Sequence, residues 1–202
     1  MSKLNNKALL VQLTVSQATM RKRDKKATQE IALANNTDVS AGNYNKALLP
    51  MAQSLSDVHK KTTLIRQMYY DNTLHWGGDG TMLLPSANYL SYMGKFRQAK
   101  TEWTTLVNKF LDDYPRLQSN AQSFLGSLYN PSDYPDIDDL RDKFSMEMIV
   151  MPVPADDFRV SISDSELAQV QADVNARVES ATTKAMHEAW QRLYDRVKHI
   201  SD

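Results

Sequence analysis

Two segments of this 202-residue chain alternate apolar and polar residues in the way that strands do. Val11, Leu13 and Val15 alternate with polar neighbours, which predicts a strand over residues 9–15. A second alternating segment lies within residues 144–162, where the prolines are confined to a central connection. Because proline cannot donate to a strand ladder, this arrangement predicts a β-hairpin whose connection holds the prolines.

Apolar residues at alternating steps of three and four predict two long helices in the middle of the chain. The two sets are Leu48, Met51, Leu55, Val58, Thr62, Ile65 and Tyr69, then Tyr89, Tyr92, Phe96, Ala99, Trp103, Leu106 and Phe110. Because a short segment joins the two sets, residues 46–114 are predicted to form an antiparallel helical hairpin. Tyr114-Pro115 is the predicted end of its second helix.

Short helices over residues 116–143 and one long C-terminal helix complete the predicted elements. Ser163 and Glu166 form a capping box, which predicts the start of a helix over residues 164–200. The elements together predict a single domain over residues 1–202 with an α+β fold. It combines the long antiparallel helical hairpin, the C-terminal helix and a small antiparallel sheet of about three strands. The last helix has no terminating glycine, so we also expect that the chain could be the N-terminal part of a longer protein.

Composition excludes several kinds of chemistry. The chain has no cysteine, which rules out disulfides, zinc-thiolate sites and a cysteine nucleophile. No apolar run approaches the length of a membrane span and the N-terminus does not resemble a signal peptide, so we expect a soluble, cytoplasmic protein without membrane contact. Net charge is zero, but residues 1–70 hold 11 cationic and 4 acidic side chains while residues 71–202 hold 13 and 20. This asymmetry either neutralises itself within the fold or creates a basic surface.

A dense basic run follows the first predicted strand, within a predicted loop over residues 20–30. Such a density of cations can contact the phosphates of a nucleic acid, although the pattern favours a solvated loop. The candidate nucleic-acid-binding residues are Arg21, Lys22, Arg23, Lys25, Lys26, Lys60, Lys61 and Arg66. DNA binding is therefore one of two functions that the sequence leaves open.

The stretch from Gly77 to Thr81 reads GGDGT and resembles the nucleotide-binding signature of NAD kinases and diacylglycerol kinases. A phosphate-binding turn of this kind should follow a buried strand, but here the preceding residues complete a helical pattern. We therefore predict an interhelical turn with glycines at positive φ and two packing anchors. These residues are Gly77, Gly78, Gly80, Trp76 and Leu83.

Other catalytic and metal-binding patterns are incomplete. His187-Glu188 begins an H-E-x-x-H zinc motif, but Gln191 stands where the second zinc-binding histidine is required. The remaining histidines have no partner at a recognised ligand spacing, which indicates solvated or capping side chains: His59, His75 and His199. The aspartates from Asp133 to Asp142 fit an acidic helix N-terminus better than a calcium loop. We predict no catalytic residue, no cofactor and no metal ion.

Several distinctive segments occur in a fixed order along nearly the whole chain. They are Lys46-Ala47-Leu48-Leu49, Phe110-Leu111-Asp112-Asp113-Tyr114-Pro115, Leu125-Gly126, Asp133-Tyr134-Pro135, Leu140-Arg141-Asp142-Lys143-Phe144 and Pro152-Val153-Pro154 leading to Asp157-Phe158-Arg159-Val160. In this order the chain resembles a family of uncharacterised proteins encoded by tailed bacteriophages and some plasmids.

The resemblance implies a function of its own. Genes of that family often lie near genes for AAA+ ATPases similar to the cobaltochelatase small subunit and for von Willebrand factor A domain proteins. It therefore implies a non-enzymatic phage accessory protein that acts in the host cytoplasm through protein contacts, with an AAA+ ATPase or a host protein as partner. Self-association through the predicted helices is a further open alternative. No catalytic residue is established for the family, so none is transferred to this chain.

Overall fold

The computed structural model describes Leu4 and residues 7–77, 80–154 and 164–201, and it confirms the α+β fold. The strands are β1 (Ala8–Ser16), β2 (Arg21–Arg23), β3 (Asn45–Ala47), β4 (Leu74–His75), β5 (Met82–Pro85) and β6 (Ser145–Pro152). The helices are α1 (Lys25–Ala34), α2 (Gln53–Asn72), α3 (Tyr89–Leu125), α4 (Ile137–Arg141) and α5 (Asp164–Ser201). Short 3-10 turns occupy Val39–Ala41, Ser86–Asn88, Gly126–Leu128 and Pro131–Asp133.

The chain forms two compact units. Unit 1 comprises residues 1–14, 64–99 and 146–202, and unit 2 comprises residues 15–63 and 100–145. The sequence predicts a single domain, and cooperative folding of the two units as one domain stays a prediction.

The main sheet has four strands in the order β4-β5-β1-β6, one more than the sequence predicts. β1 pairs antiparallel with β5, from Ala8 opposite Pro85 to Val11 opposite Met82. Consecutive residues of both strands are buried, which is the pattern of strands covered on both faces. The apolar run of β5 lacks the alternation that identifies a strand, so the sequence predicts a turn between two helices at this position.

Unit 1 has its hydrophobic core between this sheet and α5. Leu10, Trp76, Leu83 and Ala181 belong to one buried cluster, which confirms the tryptophan and the leucine as packing anchors. The hydroxyl of Tyr69 donates to the carbonyl oxygen of β1 residue Val11 at 2.9 Å. The part of α5 around Val178 and Ala181 thus packs against the sheet by apolar burial.

Unit 2 has an aromatic core. The ring centroids of Phe110 and Phe144 lie 5.8 Å apart, and those of Trp103 and Phe144 lie 6.3 Å apart. The indole N–H of Trp103 donates to the hydroxyl of Thr62 at 2.9 Å, and that hydroxyl donates to the side-chain oxygen of Gln17 at 2.8 Å. The indole N–H of Trp103 and the hydroxyl of Thr62 therefore both have hydrogen-bond partners, which offsets the cost of their burial.

The helices α2 and α3 confirm the predicted antiparallel hairpin. Thr62 of α2 contacts Trp103 of α3 in unit 2. In unit 1, burial and the neighbouring Tyr69 of α2 raise the pKa of Tyr92 of α3. The contacting residue numbers increase along α2 from 62 to 69 while they decrease along α3 from 103 to 92, as expected for antiparallel neighbours.

The start of the hairpin was predicted too early. Residues 46–52 are not helical: Lys46 lies on β3, and α2 begins only at Gln53. Pro50 disfavours a helical conformation for the residue before it. Met51, a member of the predicted apolar stripe, has a positive φ of 62° and is exposed. The chain thus bends before the helix can begin.

The predicted helix end at Tyr114-Pro115 was also wrong, because α3 continues through Pro115 to Leu125. Proline removes one helical hydrogen bond, but it does not terminate a helix whose residues on either side are held by packing. Tyr114 and Ala121 are both buried, and the hydroxyl of Tyr114 donates to the carbonyl oxygen of Pro135 at 2.9 Å. Residues 116–143 consequently hold the end of α3, two 3-10 turns and one short helix.

The predicted basic loop over residues 20–30 forms a strand and the start of a helix. β2 pairs antiparallel with β3, and Asp24 caps α1 by accepting a hydrogen bond from the Ala27 N–H at 3.0 Å. The sequence predicts a loop here because β3, the strand with which β2 pairs, lies more than twenty positions later. The first strand of the predicted hairpin over residues 144–162 is β6, while its second strand lies outside the described residues. The long C-terminal helix is confirmed as α5.

Candidate functional site

The GGDGT turn connects two strands rather than two helices. Gly77 and Gly80 have positive φ angles of 70° and 81°, as predicted, whereas Gly78 and Asp79 lie outside the described residues. The strand before the turn, β4, has two residues, and its last residue His75 is exposed. The turn therefore lacks the long buried strand that positions the backbone amides of a phosphate-binding glycine loop.

Two lysines and two aspartates form a charged cluster in unit 2, which we call the lysine–aspartate cluster: Lys22, Asp24, Lys46 and Asp133. Lys22 and Lys46 face each other across β2 and β3. Their ammonium groups contact the carboxylate of Asp133 at 2.7 and 2.8 Å. Because like charges directly opposite on neighbouring strands repel, the shared carboxylate converts a repulsive pair into an attractive group.

The ammonium group of Lys46 uses all three of its donors. It contacts Asp133 at 2.8 Å, Asp24 at 3.0 Å and the carbonyl oxygen of Leu128 at 2.6 Å. The side chain of Lys46 is 6% exposed and that of Asp133 is 4% exposed. Buried charges persist only when they are paired and hydrogen-bonded, and this cluster meets both conditions. We infer that it holds β3, the start of α1 and the turn at residue 133 together.

Ion pairing outweighs burial throughout the cluster. Burial raises the pKa of Asp133, but hydrogen bonds from Lys22 and Lys46 hold it below its ordinary value. The Ala27 N–H, followed by the Lys46 ammonium group, lowers the pKa of Asp24. Burial lowers the pKa of Lys46, but the two aspartates raise it above its ordinary value. All three groups are therefore charged at neutral pH.

Four of the candidate nucleic-acid-binding residues lie exposed around β2 and the start of α1. Arg21 and Arg23 flank the clustered lysine on β2, and Lys25 and Lys26 lie in the first turn of α1. Arg21, Arg23 and Lys25 form no ion pair with any residue in the described part of the chain. Lys26 approaches Glu30 only at 3.9 Å. These four cations are therefore accessible to a partner.

The candidates on α2 are less accessible or lie elsewhere. Lys61 pairs with Glu102 of α3, and Lys60 lies 4.0 Å from Asp57. Arg66 belongs to unit 1, whereas the seven other candidates belong to unit 2. The structure thus brings together the candidates on β2 and α1. The three candidates on α2 do not join them, because Lys60 and Lys61 lie near carboxylates of α2 and α3, and Arg66 belongs to unit 1.

Lys143 is a cation that the sequence analysis missed. It lines a cavity of about 360 Å³ in unit 2 together with Arg21, Lys22 and Asp133. Lys143 lies two residues before the start of β6 and is far from the basic run along the chain. No spacing rule connects such distant positions, so only the fold shows that these side chains line the same cavity.

Glu188, the second residue of the incomplete zinc pattern, supports the structure of unit 1. Its carboxylate accepts a hydrogen bond from the backbone N–H of His75 at 2.8 Å and lies 3.1 Å from the ring nitrogen Nδ1. Arg192 donates to the same carboxylate from one turn later. Burial raises the pKa of Glu188, but these donors hold it below its ordinary value. The carboxylate partner of His75 is 113 positions away, so no ligand spacing in the sequence predicts the pair.

Large apolar side chains cover one face in the second half of α5, which we call the outer face of α5: Met186, Trp190, Leu193, Tyr194 and Val197. Trp190 is 64% exposed and Leu193 is 53% exposed. The spacing of the residues at 186, 190, 193 and 197 alternates steps of four and three, which is the spacing of a helix that packs along another helix. This is the most concentrated set of exposed large apolar residues on the described helices of unit 1.

The outer face lies on the opposite side of α5 from the residues that reach the core of unit 1. Ala181 and Ala185 are buried, and Glu188 and Arg192 continue the same side of the helix. Apolar residues recur at steps of four along this part of α5, at Ala181, Ala185, Ala189, Leu193 and Val197, and each such step turns about 40° beyond a full helical turn. Leu193 and Val197 consequently lie on a side of α5 away from the core, and both are exposed.

Within the described ranges, no group of three or more histidine, aspartate or glutamate side chains is arranged to hold a metal ion. Among the helices that the structure describes, none is long and apolar enough to span a membrane. No protein-family model matches the chain, and neither the curated proteins nor the solved structures include one that is similar to it.

Proposed function

We propose that this protein is a non-enzymatic binding protein that contacts another protein through the outer face of α5. The observation that carries the proposal is the exposed apolar stripe of Met186, Trp190 and Leu193 on the side of α5 away from its core. Aromatic side chains bury about 150–250 Å² each when covered. Covering five large residues that are more than half exposed therefore buries several hundred Å², which is the size of patch that marks interaction sites.

The charges beside the stripe define the chemistry of the partner. Arg196 and Lys198 are exposed cations on α5 next to the outer face, whereas the exposed Asp195 lies further round the helix. A second copy of α5 would bring like charges together, which disfavours self-association through this face. The expected occupant is therefore an acidic amphipathic helix of a partner protein. A phage-encoded AAA+ ATPase or a host protein would supply such a helix, in keeping with the family resemblance.

We expect the purified protein to bind a designed acidic helix with leucines at the a and d positions and glutamates at the e and g positions. Trp190→Glu should weaken this binding at least about 30-fold, because central tryptophans are typical hot spots worth 2 kcal/mol or more. Fluorescence anisotropy of the labelled helix measures the dissociation constant. Light scattering of the protein alone measures its self-association.

Leu90→Glu is the matched control, since Leu90 is an exposed leucine of α3 in the same unit. It places the same charge on unit 1 outside the outer face and should leave binding unchanged. Absence of binding by the wild-type protein would contradict the proposal. Equal weakening by both variants, or a dimer that Trp190→Glu dissociates, would also contradict it.

DNA binding is a second candidate function, favoured by the free cations of β2. Arg21 and Arg23 are exposed and form no ion pair within the described part of the chain, while the lysine between them is held in the lysine–aspartate cluster. Lys25 extends the set at the start of α1. Phosphate contacts need accessible cations of this kind, whereas sequence-specific reading needs further groups aimed at bases. We therefore propose contact with the DNA backbone for this surface.

For DNA binding we expect an affinity for a duplex that falls steeply between 50 and 200 mM salt. The double variant Arg21→Gln/Arg23→Gln should reduce the slope of log affinity against log salt by about 2, since each phosphate contact contributes about 0.9. Lys60→Gln/Lys61→Gln removes the same charge from α2, where both lysines lie near carboxylates, and should change the slope less. Undetectable binding at 50 mM salt, or equal slopes for both variants, would eliminate this function.

A further inference from the structure

A cleft in unit 1 has the size and lining of a binding site for a small molecule. Its volume is about 840 Å³, within the range of about 300–1,000 Å³ that ligand pockets occupy. Leu10, Trp76 and Ala181 contribute apolar surface from the core of the unit, and Met151 adds to it from β6. Gly77 and Thr81, which follow β4 and precede β5, line the same cleft. Most of the lining is therefore apolar, and it comes from the sheet and from α5.

The charged residues that line the cleft are both cations. Arg177 and Lys184 lie on α5 two helical turns apart, about 10 Å along its axis. Ala181 lies between them and closes the apolar part of the cleft. Neither cation forms an ion pair with a described residue, and no aspartate or glutamate contributes to the described lining. Among the described lining residues, the cleft thus combines an apolar interior with two cations that no described carboxylate pairs.

We propose that this cleft binds an amphipathic organic anion, an acyl chain with a carboxylate or phosphate head group. The chain would lie against Trp76 and Ala181, and the head group would contact Arg177 or Lys184. Arginine and lysine form charge-assisted hydrogen bonds with both kinds of head group, while each CH₂ group of the chain that leaves water adds to the affinity. The site lies on a different side of α5 from its outer face and does not depend on the proposed protein contact.

An acyl chain fits the lining better than a nucleotide does. Recognition of a base requires several polar groups that converge on its edge, in addition to a stacking surface. The uncharged polar side chains in the described lining are those of Thr81 and Ser180, and Thr81 is buried and already engaged within the fold. The lining therefore selects by apolar contact and charge rather than by the hydrogen-bond pattern of a base.

The first test uses 12-bromododecanoate below its micelle concentration, because bromine on the chain quenches a tryptophan that it contacts. We expect saturable quenching that disappears in Trp76→Phe and persists in Trp190→Phe, since Trp190 lies on the outer face of α5. Calorimetric titration with dodecanoate, dodecyl phosphate and dodecanol measures affinity without using tryptophan. Both anions should bind at least tenfold more tightly than the uncharged alcohol.

The second test removes the charges. Arg177→Gln/Lys184→Gln should weaken both anions at least tenfold, because it removes the two cations of the cleft. Arg196→Gln/Lys198→Gln takes the same charge from exposed positions of the same helix outside the cleft and should leave the affinity unchanged. Circular dichroism checks that each variant is folded.

Three results would overturn the proposal. The first is absence of dodecanoate and dodecyl phosphate binding by the wild-type protein. The second is equal affinity for dodecanol and the two anions, or equal weakening by the two double variants. The third is sedimentation with phosphatidylglycerol vesicles without binding of the monomeric anions, which would assign the cations to a membrane surface instead of a cleft.

Discussion

Replacing Lys46 by methionine is expected to destabilise the protein by roughly 3–5 kcal/mol, which is the usual result of removing one partner from a buried ion pair. Methionine keeps most of the side-chain volume, so the loss comes from the charge and not from a cavity. It leaves the carboxylate of Asp133 buried with one lysine partner, and it leaves the carbonyl oxygen of Leu128 without its donor. Urea denaturation followed by circular dichroism measures the free energy of unfolding.

Lys22→Met is the matched control because Lys22 contacts the same carboxylate from a side chain that is 51% exposed. Exposed ion pairs contribute only about 0–1 kcal/mol, so this variant should lose much less stability. The double variant Lys46→Met/Asp133→Leu removes both buried charges. Its loss of free energy of unfolding should be smaller than the sum of the losses of Lys46→Met and Asp133→Leu. Equal losses for Lys46→Met and Lys22→Met would show that the cluster does not depend on burial.

The same cluster gives the stability a defined pH dependence. The pKa values of Asp24 and Asp133 are lowered in the folded protein, so their contribution is present above the unfolded value of about 3.9 and is lost as pH falls through the folded pKa values. The pKa of Lys46 is raised, so its contribution is present below about 10.4 and is lost as pH rises through the folded value. Lys46→Met should therefore lose less stability than the wild-type protein when the pH is lowered from 5 to 3.

The sequence predicts the long helices of this fold because their periodicity is local and extends over many turns. The stripes of α2 and α3 identify Thr62, Trp103 and Phe110, and all three are buried in unit 2. The start of α5 follows from a capping box in one short segment. Prediction fails where a residue depends on a distant partner. β3 is only three residues long and depends on pairing with β2, so no local pattern identifies it. The apolar residues that follow it fit a helical spacing, and the sequence therefore predicts a helix from residue 46.

The candidate site shows the same division between local and distant information. The basic run is visible in the sequence, but its division into accessible arginines and a buried cluster depends on Asp133, which lies far along the chain. The ion pairs of Lys22 and Lys46 with Asp133 join the basic residues 1–70 to the acidic residues 71–202. They neutralise part of the charge asymmetry within the fold, while the remaining cations of β2 stay exposed. The outer face of α5 is visible as apolar residues, but only their position relative to Ala181 and Ala185 shows that they leave the core.

Replacing Pro115 by alanine is expected to stabilise the protein by about 2 kcal/mol. Proline inside a helix costs about 3 kcal/mol relative to alanine, because it lacks the N–H that would bond the carbonyl oxygen one turn earlier. Alanine would supply that donor to Leu111, whose side chain is already buried. Greater freedom of the unfolded chain without proline offsets about 0.4–1 kcal/mol of the gain. Pro115 is exposed, so its ring leaves no cavity behind.

Thermal unfolding tests this expectation against Arg116→Ala, a substitution at the next exposed position of α3. Two kcal/mol corresponds to a rise of about 4–8 °C in Tm for a chain of this size. Arg116 forms only a surface ion pair with Asp113, so its replacement should change stability by less than about 1 kcal/mol. A lower Tm for Pro115→Ala would mean that packing on both sides of the proline requires the bend that it imposes. In that case the contacts of Tyr114 and Ala121, and not helix propensity, set the course of α3 through this position.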